Sequence, residues 1–226
     1  MLSRAELKQQ AKEQLKGNVG SYFLVFLAYV GVSFAVGLVS GLLSRIFPLL
    51  GTVAMYVALP PLMIGFYLVF LSGTYGDQPK VSTLFEGYKK EYFGKSIILF
   101  LLVAIFTWLW SLLLVIPGII MAFAYSMSWF VLAENPNMTA REAIRESKEI
   151  MNGHKMDFFV LALSFIPWIL LVYVTLGIAS IYVMPYMQLT FTNFYHNIKR
   201  QSEPVAPVYE TSATDAAESE SHTIVY

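Results

Sequence analysis

The stretch IILFLLVAIFTWLWSLLLVIPGIIMAFAYSMSWFVLA, residues 97–133, carries no charged side chain and holds a proline and a glycine near its middle. One helix of these 37 residues would be about 55 Å long, whereas the hydrocarbon core of a bilayer is about 30 Å thick. Two shorter helices fit that thickness. Pro117 suits the first turn of a helix, where its missing N–H needs no partner. The stretch therefore predicts a helical hairpin with a tight turn at Ile116, Pro117 and Gly118.

The composition indicates an integral membrane protein. Of the 226 residues, 57% are hydrophobic and only 13% are charged, against about 25% charged in soluble proteins. Polar and charged residues continue to position 18 with no cleavage site after the first apolar run, so we expect that run to stay in the mature chain. The absence of cysteine excludes disulfides, thiolate nucleophiles and Cys-based metal sites.

Two further apolar blocks, at 17–76 and 158–198, are also too long for one crossing and about right for two. We therefore predict an all-α integral membrane protein with six transmembrane helices arranged as three helical hairpins. The hairpins cover residues 20–72, 96–133 and 158–197. The predicted spans are residues 20–44, 52–72, 96–115, 117–133, 158–176 and 180–197.

The distribution of Lys and Arg predicts the orientation. Of the 15 basic residues, 14 lie in the N-terminal segment, in the loops 73–95 and 134–157, or after the last span. Only Arg45 falls on the other side. Because basic residues in short loops are retained in the cytoplasm, both termini should be cytoplasmic.

An internal repeat precedes two of the hairpins. Residues 3–23 and 139–159 align at a constant offset of 136. Each copy begins with Ser or Thr, has Glu three residues later, and reaches glycine, at Gly17 and Gly153, where the pattern ends. These are the signals of a capping box and of a helix C-terminus. Together with flanking basic residues they predict a cytoplasmic amphipathic helix on the membrane surface, which in the first copy covers residues 1–19.

The loop at 82–95 resembles a shorter third copy, so that each hairpin would be preceded by a surface helix. The second helix of each hairpin also repeats a Pro-x5-Phe pattern, at Pro60, Pro117 and Pro185. Basic side chains on the surface helices are expected to contact the anionic inner leaflet. These predicted lipid contacts are Arg4, Lys8, Lys12, Lys16, Arg141, Arg145 and Lys148.

Four segments resemble a known family. They are SRAELKQQAKEQLKGN at the start, VIPGIIMAFAYSMSWFVLAENP, TAREAIRESKEIMNGHK and PYMQLTFTNFYHNI. They are similar to the bacterial multi-pass membrane proteins grouped as the domain of unknown function 975 family, found largely in Gram-positive bacteria. The resemblance covers about residues 1–198. It implies membrane localisation and topology, and it carries over no catalytic residue because no activity is established for the family.

Polar groups within the predicted spans are few, and no acidic residue lies in the middle of a span. Proton-coupled transport usually needs an embedded carboxylate, so that chemistry is disfavoured. The interhelical hydrogen bonds common in membrane proteins would account for Gln188, Thr192 and Asn193. The alternative is that these three side chains form a polar lining that contacts a solute or a lipid headgroup.

Small residues at four-residue spacing predict close helix contacts. In the first span the stripe includes Gly37 and Gly41, and in the fourth it includes Gly118 and Ala122. The pattern leaves open whether the contacts are internal or between subunits.

The sequence gives little support for an enzymatic function. The histidines, His154, His196 and His222, are scattered, whereas a catalytic zinc site needs converging ligands. No glycine-rich phosphate loop is present. We therefore predict no catalytic residue, no cofactor, no metal and no nucleic-acid partner. A functional role for Glu134 would require it to meet His154 or Arg141 in a pocket.

The C-terminal segment 199–226 is predicted to be a disordered acidic cytoplasmic tail. From residue 201 onward it holds five acidic residues and no Lys or Arg. Such a composition cannot bury a core.

Two functional hypotheses follow from these features. The first is a non-enzymatic membrane scaffold or accessory subunit that contacts anionic lipid or an unidentified membrane protein partner. The second is a permease or lipid-handling channel for a neutral or amphipathic solute. The lack of charge within the spans favours the scaffold.

Overall fold

The computed structural model describes residues 2–113 and 115–202, and the regular structure within them is helical. The predicted tail beyond residue 202 lies outside the described residues. The all-α prediction is confirmed for the described part of the chain. The elements are α1 (Arg4–Leu15), α2 (Val19–Ile46), α3 (Pro48–Thr74), a 3₁₀ helix (Val81–Tyr88), α4 (Phe93–Leu113), α5 (Val115–Tyr125), α6 (Ser128–Glu134), α7 (Ala140–Ile150), α8 (Lys155–Leu163), α9 (Ile166–Val174) and α10 (Ser180–Ser202).

Five helical segments of the described chain are long and apolar enough to cross a membrane. They are Val19–Ile46, Pro48–Thr74, Phe93–Leu112, Pro117–Glu134 and Lys155–Val174. The fourth contains the short break between α5 and α6, and the fifth the break between α8 and α9. The sixth predicted span is also helical, as α10, but it is not one of the five. Polar side chains such as Gln188 and Asn193 lower the hydropathy of α10.

The turn between α2 and α3 is tighter than the sequence predicted. Phe47 alone joins α2 to α3, because Pro48 begins α3 as its first residue and needs no hydrogen-bond partner for its nitrogen. The predicted turn at Ile116–Gly118 is wrong by a few residues, since α5 already begins at Val115. The third turn contains Leu176 and Gly177, both with positive φ, 50° and 91°.

Opposite these turns, the ends of α3, α6 and α10 meet. The hydroxyl of Thr74, the last residue of α3, is 2.9 Å from Nε2 of His196 in α10. Glu134, the last residue of α6, accepts a hydrogen bond from Lys199 of α10. Lys95 near the start of α4 donates to the carbonyl of Pro136. We call this end of the molecule the closed end, and the end with the turns the open end.

The 3₁₀ helix and α7 each pack on an apolar helix. Tyr88, which ends the 3₁₀ helix, donates through its hydroxyl to the carbonyl of Ala58 in α3, at 2.7 Å. Ser147 of α7 donates to the carbonyl of Ala124 in α5, also at 2.7 Å. These two elements follow their hairpins in the chain. Helix α1 precedes all hairpins and packs on α10, the last helix, so the first and last helices are neighbours.

The 3₁₀ helix approaches α3 so closely that only glycine fits at two positions. A Cβ on Gly65 would lie 1.8 Å from the carbonyl oxygen of Leu84, and a Cβ on Gly87 would lie 1.9 Å from that of Pro61. The ring of Pro61 supplies no N–H, so the helix α3 is already irregular at this crossing. The backbone contact fixes the 3₁₀ helix against the first hairpin.

Most of the buried side chains of the described residues lie in the half of the molecule next to the closed end. In α2 they include Tyr22 and Val25 near its closed-end start, whereas in α10 they run along most of the helix, from Val183 to Ile198. Toward the open end the other helices expose apolar side chains, as shown by the 69% exposed Phe34 and the 66% exposed Trp108. The helices therefore pack more closely at one end and expose more apolar surface toward the other.

The predicted capping boxes are present in α1 and α7. In α1 the backbone N–H of Glu6 donates to Ser3 Oγ, and the Ser3 N–H donates back to Glu6 at 2.6 Å. Thr139 and Glu142 make the same pair in α7. The backbone and side-chain hydrogen bonds from these caps hold the pKa of Glu6 and of Glu142 below its usual value. After the two helices, glycines 17 and 153 have nearly equal φ, +85° and +83°.

Candidate functional site

A charged cluster at the closed end is centred on Glu134. Its Oε2 accepts hydrogen bonds from Lys199 Nζ and from Tyr195 Oη, both at 2.5 Å. Its Oε1 accepts a longer bond, 3.4 Å, from Tyr75 Oη. We call these four residues the Glu134 cluster. The carboxylate is half-buried, and the Lys199 ammonium and the two tyrosine hydroxyls provide its hydrogen bonds.

Local sequence places Glu134 at this point. Pro136 restricts the residue before it to extended conformations, and Asn135 has φ −120° and ψ 82°. Helix α6 therefore ends at Glu134 and directs the carboxylate toward α10. A negative side chain at a helix C-terminus is unfavourable, and Lys199 offsets that cost. The partners suggested from the sequence, His154 and Arg141, are not among the contacts of this carboxylate.

His196 joins the Glu134 cluster to the end of α3. Its Nε2 lies 2.9 Å from Thr74 Oγ1, and the Thr74 hydroxyl donates its only proton to the carbonyl of Leu71 at 2.7 Å. The hydroxyl can then only accept from the ring, so Nε2 of His196 carries a hydrogen. The imidazole also meets the ring of Tyr75 edge to face, with centroids 5.4 Å apart.

A cavity of about 540 Å³ lies between α1 and the Glu134 cluster and opens to the outside of the protein. This volume is within the usual range of ligand pockets. Its lining is rich in polar and charged groups. The cavity is lined by Leu2, Gln10, Glu13, Gln14, Thr74, Tyr75, Glu134, Asn193, His196, Asn197, Lys199 and Arg200.

Helix α1 forms one wall of this cavity because it is fixed to α10. Gln14 and Asn193 exchange two amide hydrogen bonds, at 3.1 Å and 2.9 Å. The backbone N–H of Leu2 donates to Asn197 Oδ1 at 3.4 Å. The apolar face of α1 is fully buried, at Leu7, Ala11 and Leu15.

Lys8 also holds α1 in place. Its ammonium lies 3.4 Å from the carbonyl oxygen of Ser164, at the break between α8 and α9, and 4.6 Å from the ring centroid of Phe165. Burial lowers the pKa of Lys8, and the nearby charges of Lys12 and Arg4 lower it further. The structure thus directs the Lys8 side chain into the protein.

Comparison with known proteins identifies the family. The family model described as protein of unknown function, DUF975, matches residues 1–117 and 111–202. The chain belongs to the DUF975 family. The two matches together include α1, the Glu134 cluster and α10. No curated protein and no solved structure matches the chain.

The structure of this DUF975 protein separates the residues predicted to form a polar lining. Asn193 is buried and bound to Gln14, and Thr192 Oγ1 donates to the carbonyl of Gln188 within its own helix, at 2.9 Å. The side-chain Nε2 of Gln188 is buried without a hydrogen-bond partner among the described residues. Only Asn193 borders the cavity at the closed end.

The predicted helix-packing residues have different surroundings. A Cβ on Gly118 would lie 2.6 Å from Ser111 Oγ, so α4 and α5 approach closely there. A Cβ on Gly37 or Gly41 would meet nothing within 4 Å. Ala122 is exposed.

Six of the seven predicted lipid contacts are exposed. Lys8 is the exception, for the reasons given above. Lys12 lies over the ring of Tyr186, 5.9 Å from its centroid, and Arg145 is 3.9 Å from Glu149. The exposed basic residues are Arg4, Lys12, Lys16, Arg141, Arg145 and Lys148.

Sequence reasoning noted Glu134 and His196 separately but missed the cluster that joins them. One local signal was available, because Tyr195 and Lys199 are four residues apart and share a face of α10. The choice of Glu134 as their partner depends on contacts 61 and 65 residues away along the chain. No group of three or more His, Asp or Glu suited to a metal ion occurs in the described part of the chain.

Proposed function

We propose that this DUF975 protein is a non-enzymatic membrane scaffold that crosses the bacterial plasma membrane six times and contacts the anionic inner leaflet through its closed end. The observation that carries the proposal is the division of the molecule into two halves. Packed core, charged cluster and basic surface are gathered at the closed end, whereas the open end exposes apolar side chains suited to lipid.

Six crossings are supported by where the hairpins end. The ends of α3, α6 and α10 are joined by the hydrogen bonds of Thr74 and Glu134, so each hairpin leaves the closed end and returns to it. Helix α10 then has to run through the bilayer like the others. Neighbouring helices bury its polar side chains, including Thr190 and Asn193, which satisfies the requirement that lipid imposes on polar groups.

A cytoplasmic location of the closed end is supported by its basic residues, since such residues are retained on that side. Its exposed Lys and Arg side chains would lie near the anionic headgroups, where each contributes about 1 kcal/mol of attraction. Both termini would then be cytoplasmic, because α1 and the end of α10 are in contact.

Cysteine labelling tests this arrangement directly, because the chain has no cysteine of its own. Single variants Leu176→Cys at the open end and Asn152→Cys at the closed end would be treated in intact cells with a membrane-impermeant thiol reagent. We expect Leu176→Cys to react in intact cells and Asn152→Cys to react only after permeabilisation. The reverse pattern, or reaction of both, contradicts the proposed orientation.

Lipid contact is tested by measuring how strongly the purified protein associates with mixed micelles that contain phosphatidylglycerol. Replacing Lys16 and Arg141 by Gln should weaken the association by about 2 kcal/mol, at about 1 kcal/mol for each charge near the surface. Lys8→Gln is the matched control, because its ammonium is directed into the protein. An equal loss for Lys8→Gln alone would show that α1 docking, and not surface charge, controls binding.

The second candidate is a permease or lipid-handling channel, and the buried unpartnered amide of Gln188 favours it. Unpaired buried donors are rare and often mark a missing ligand or water. Reconstituted vesicles would be screened for solute flux and lipid movement with the wild type and with Gln188→Leu. Movement that the variant abolishes while it stays folded supports the channel, and absence of movement supports the scaffold.

A further inference from the structure

The cavity between α1 and α10 is built from two matched helix faces. Positions three and four residues apart share a face of a helix. The wall from α1 includes Gln10, Glu13 and Gln14, and the wall from α10 includes Asn193, Asn197 and Arg200, together with His196 and Lys199. Lys199 is paired with Glu134. Apart from that ion pair, each wall presents one charged side chain together with side-chain amides.

The two charges on these walls are opposite and do not pair. Glu13 and Arg200 both line the cavity, yet no ion pair joins them in the part of the chain that the structure describes. Glu13 accepts only a hydrogen bond from the neighbouring amide of Gln9, at 3.0 Å. The other two charges of the cavity, on Glu134 and Lys199, neutralise each other at 2.5 Å. An anionic wall and a cationic wall thus face the same space.

Asn197 lies beside the cationic wall with its amide held in one orientation. Its Oδ1 accepts from the backbone N–H of Leu2 and from Gln201, which fixes the orientation of the amide because a backbone N–H can only donate. Its Nδ2 is buried, so a ligand in the cavity would not reach that atom. The exposed charges of Glu13 and Arg200 are therefore the groups that a ligand would contact.

We propose that this cavity binds a zwitterion of the phosphoethanolamine class. Its phosphate oxygens would accept from Arg200, and its primary ammonium would lie against Glu13. The group occurs both as the headgroup of an aminophospholipid and as a free small molecule. This inference rests on the proposed function for the first source, since the closed end would lie at the level of the headgroups.

The first experiment measures headgroup selectivity with the full-length protein in a neutral detergent. Calorimetric titrations compare glycerophosphoethanolamine with glycerophosphoglycerol, which has the same phosphate but no ammonium. We expect glycerophosphoethanolamine to bind at least tenfold more tightly. Equal affinities, or no binding of either headgroup in this and the lipid experiment, overturn the proposal.

Two variants test which side chain binds the ammonium and which binds the phosphate. Glu13→Gln should reduce the affinity for glycerophosphoethanolamine at least tenfold and leave the weaker binding of glycerophosphoglycerol unchanged. Arg200→Gln should weaken both. Glu91→Gln and Arg45→Gln remove the same charges from exposed positions that do not line the cavity, and both should bind like the wild type. If the control variants lost as much affinity as the cavity variants, the proposed binding site would be wrong.

A second experiment distinguishes the two sources. The protein is assembled in nanodiscs of phosphatidylglycerol with a small fraction of phosphatidylethanolamine, and the lipids retained after delipidation are quantified. Enrichment of phosphatidylethanolamine that Glu13→Gln abolishes identifies the lipid headgroup. Binding of the soluble headgroup without enrichment identifies a free zwitterion. The titration in detergent does not depend on membrane orientation, so a wrong topology would fail the cysteine labelling and leave this result unchanged.

Discussion

Gly65 lies where α3 and the 3₁₀ helix cross with their backbones in contact. A methyl group at this position would meet the backbone of Leu84, which cannot move away as a flexible side chain could. We expect Gly65→Ala to destabilise the protein by about 1–3 kcal/mol, the usual cost of overpacking. The measurement is thermal unfolding in detergent.

Gly94→Ala is the matched control for that substitution. A Cβ on Gly94 has nothing within 4 Å, and alanine is the better helix former. An unfolding midpoint at or above that of the wild type is expected. If Gly65→Ala were as stable as this control, the close crossing of the two helices would be wrong.

The capping boxes make a second prediction, which concerns pH. The pKa values of Glu6 and Glu142 are lowered in the folded protein, so the stability that these carboxylates contribute is present above the unfolded pKa and is lost as the pH falls through the folded pKa. Both reference values are 4.5, which places the loss below that pH. The variant Glu142→Gln should therefore be less stable than the wild type at pH 7, and the difference should narrow below pH 4.5.

The measurement is the unfolding midpoint of the two proteins across that pH range. Glu91→Gln, an exposed carboxylate outside both boxes, is the control and should follow the wild type at every pH. A constant difference between Glu142→Gln and the wild type down to the lowest pH would argue against an ionised cap.

At the residue scale, the sequence predicts whatever depends on near neighbours. Ser3 and Glu6 are three residues apart, so their capping box could be predicted from spacing alone. The partners of Glu134 could not, because Tyr195 and Lys199 reach it only through the packing of α6 against α10. A lone carboxylate at a helix end has many candidate cations along the chain.

At the scale of elements, the docking of α1 on α10 is the feature most open to test. Gln14 and Asn193 exchange hydrogen bonds, so cysteines at these positions should be joined by a short bifunctional thiol reagent. We expect efficient crosslinking of the double variant Gln14→Cys/Asn193→Cys in membranes. The readout is the mobility shift of the crosslinked chain after a single proteolytic cut between the two sites.

The pair Gln9→Cys/Asn193→Cys serves as the control, because Gln9 is exposed and bonded along α1 to Glu13. It should crosslink far less. Equal yields for the two pairs would indicate that α1 lies freely on the membrane surface instead of against α10.

Apolar periodicity predicted that α1 has one buried face, but it could not say what covers that face. The pattern of Leu7, Ala11 and Leu15 fits a lipid surface as well as a helix. In the structure this face packs on α10, and hydrogen bonds between side-chain amides hold the two helices together. A hydropathy scale records those amides only as polar groups. The same polar groups keep α10 outside the set of strongly apolar segments. Length and hydropathy were sufficient for the five apolar segments because the bilayer thickness limits them directly.

At the scale of the whole molecule, the two halves should differ in their exposure to lipid. Trp108 in α4 is 66% exposed, whereas Trp129 in α6 is 7% exposed. In proteins that retain one of these tryptophans, with Phe at the other three positions, lipids with brominated chains should quench Trp108 strongly and Trp129 weakly. The measurement is tryptophan fluorescence in reconstituted vesicles.

An unbrominated lipid of the same headgroup is the reference for both proteins. Similar quenching of the two tryptophans would contradict the division into a packed closed end and a lipid-exposed open end. The sequence could not predict this division, since apolar residues are present along the whole length of the long helices. The division depends on where the helices converge in space, and the amino-acid composition carries no information about that.

The contact between the first and last helices has a consequence for synthesis. Gln14 and Asn193 are 179 residues apart, and a ribosome adds about 5–20 residues each second, so α1 waits roughly 10–35 seconds for its partner to be made. During that time the side chains of Leu7, Ala11 and Leu15 have no permanent cover. A nascent chain that stalls before α10 would keep this face open to proteases and chaperones.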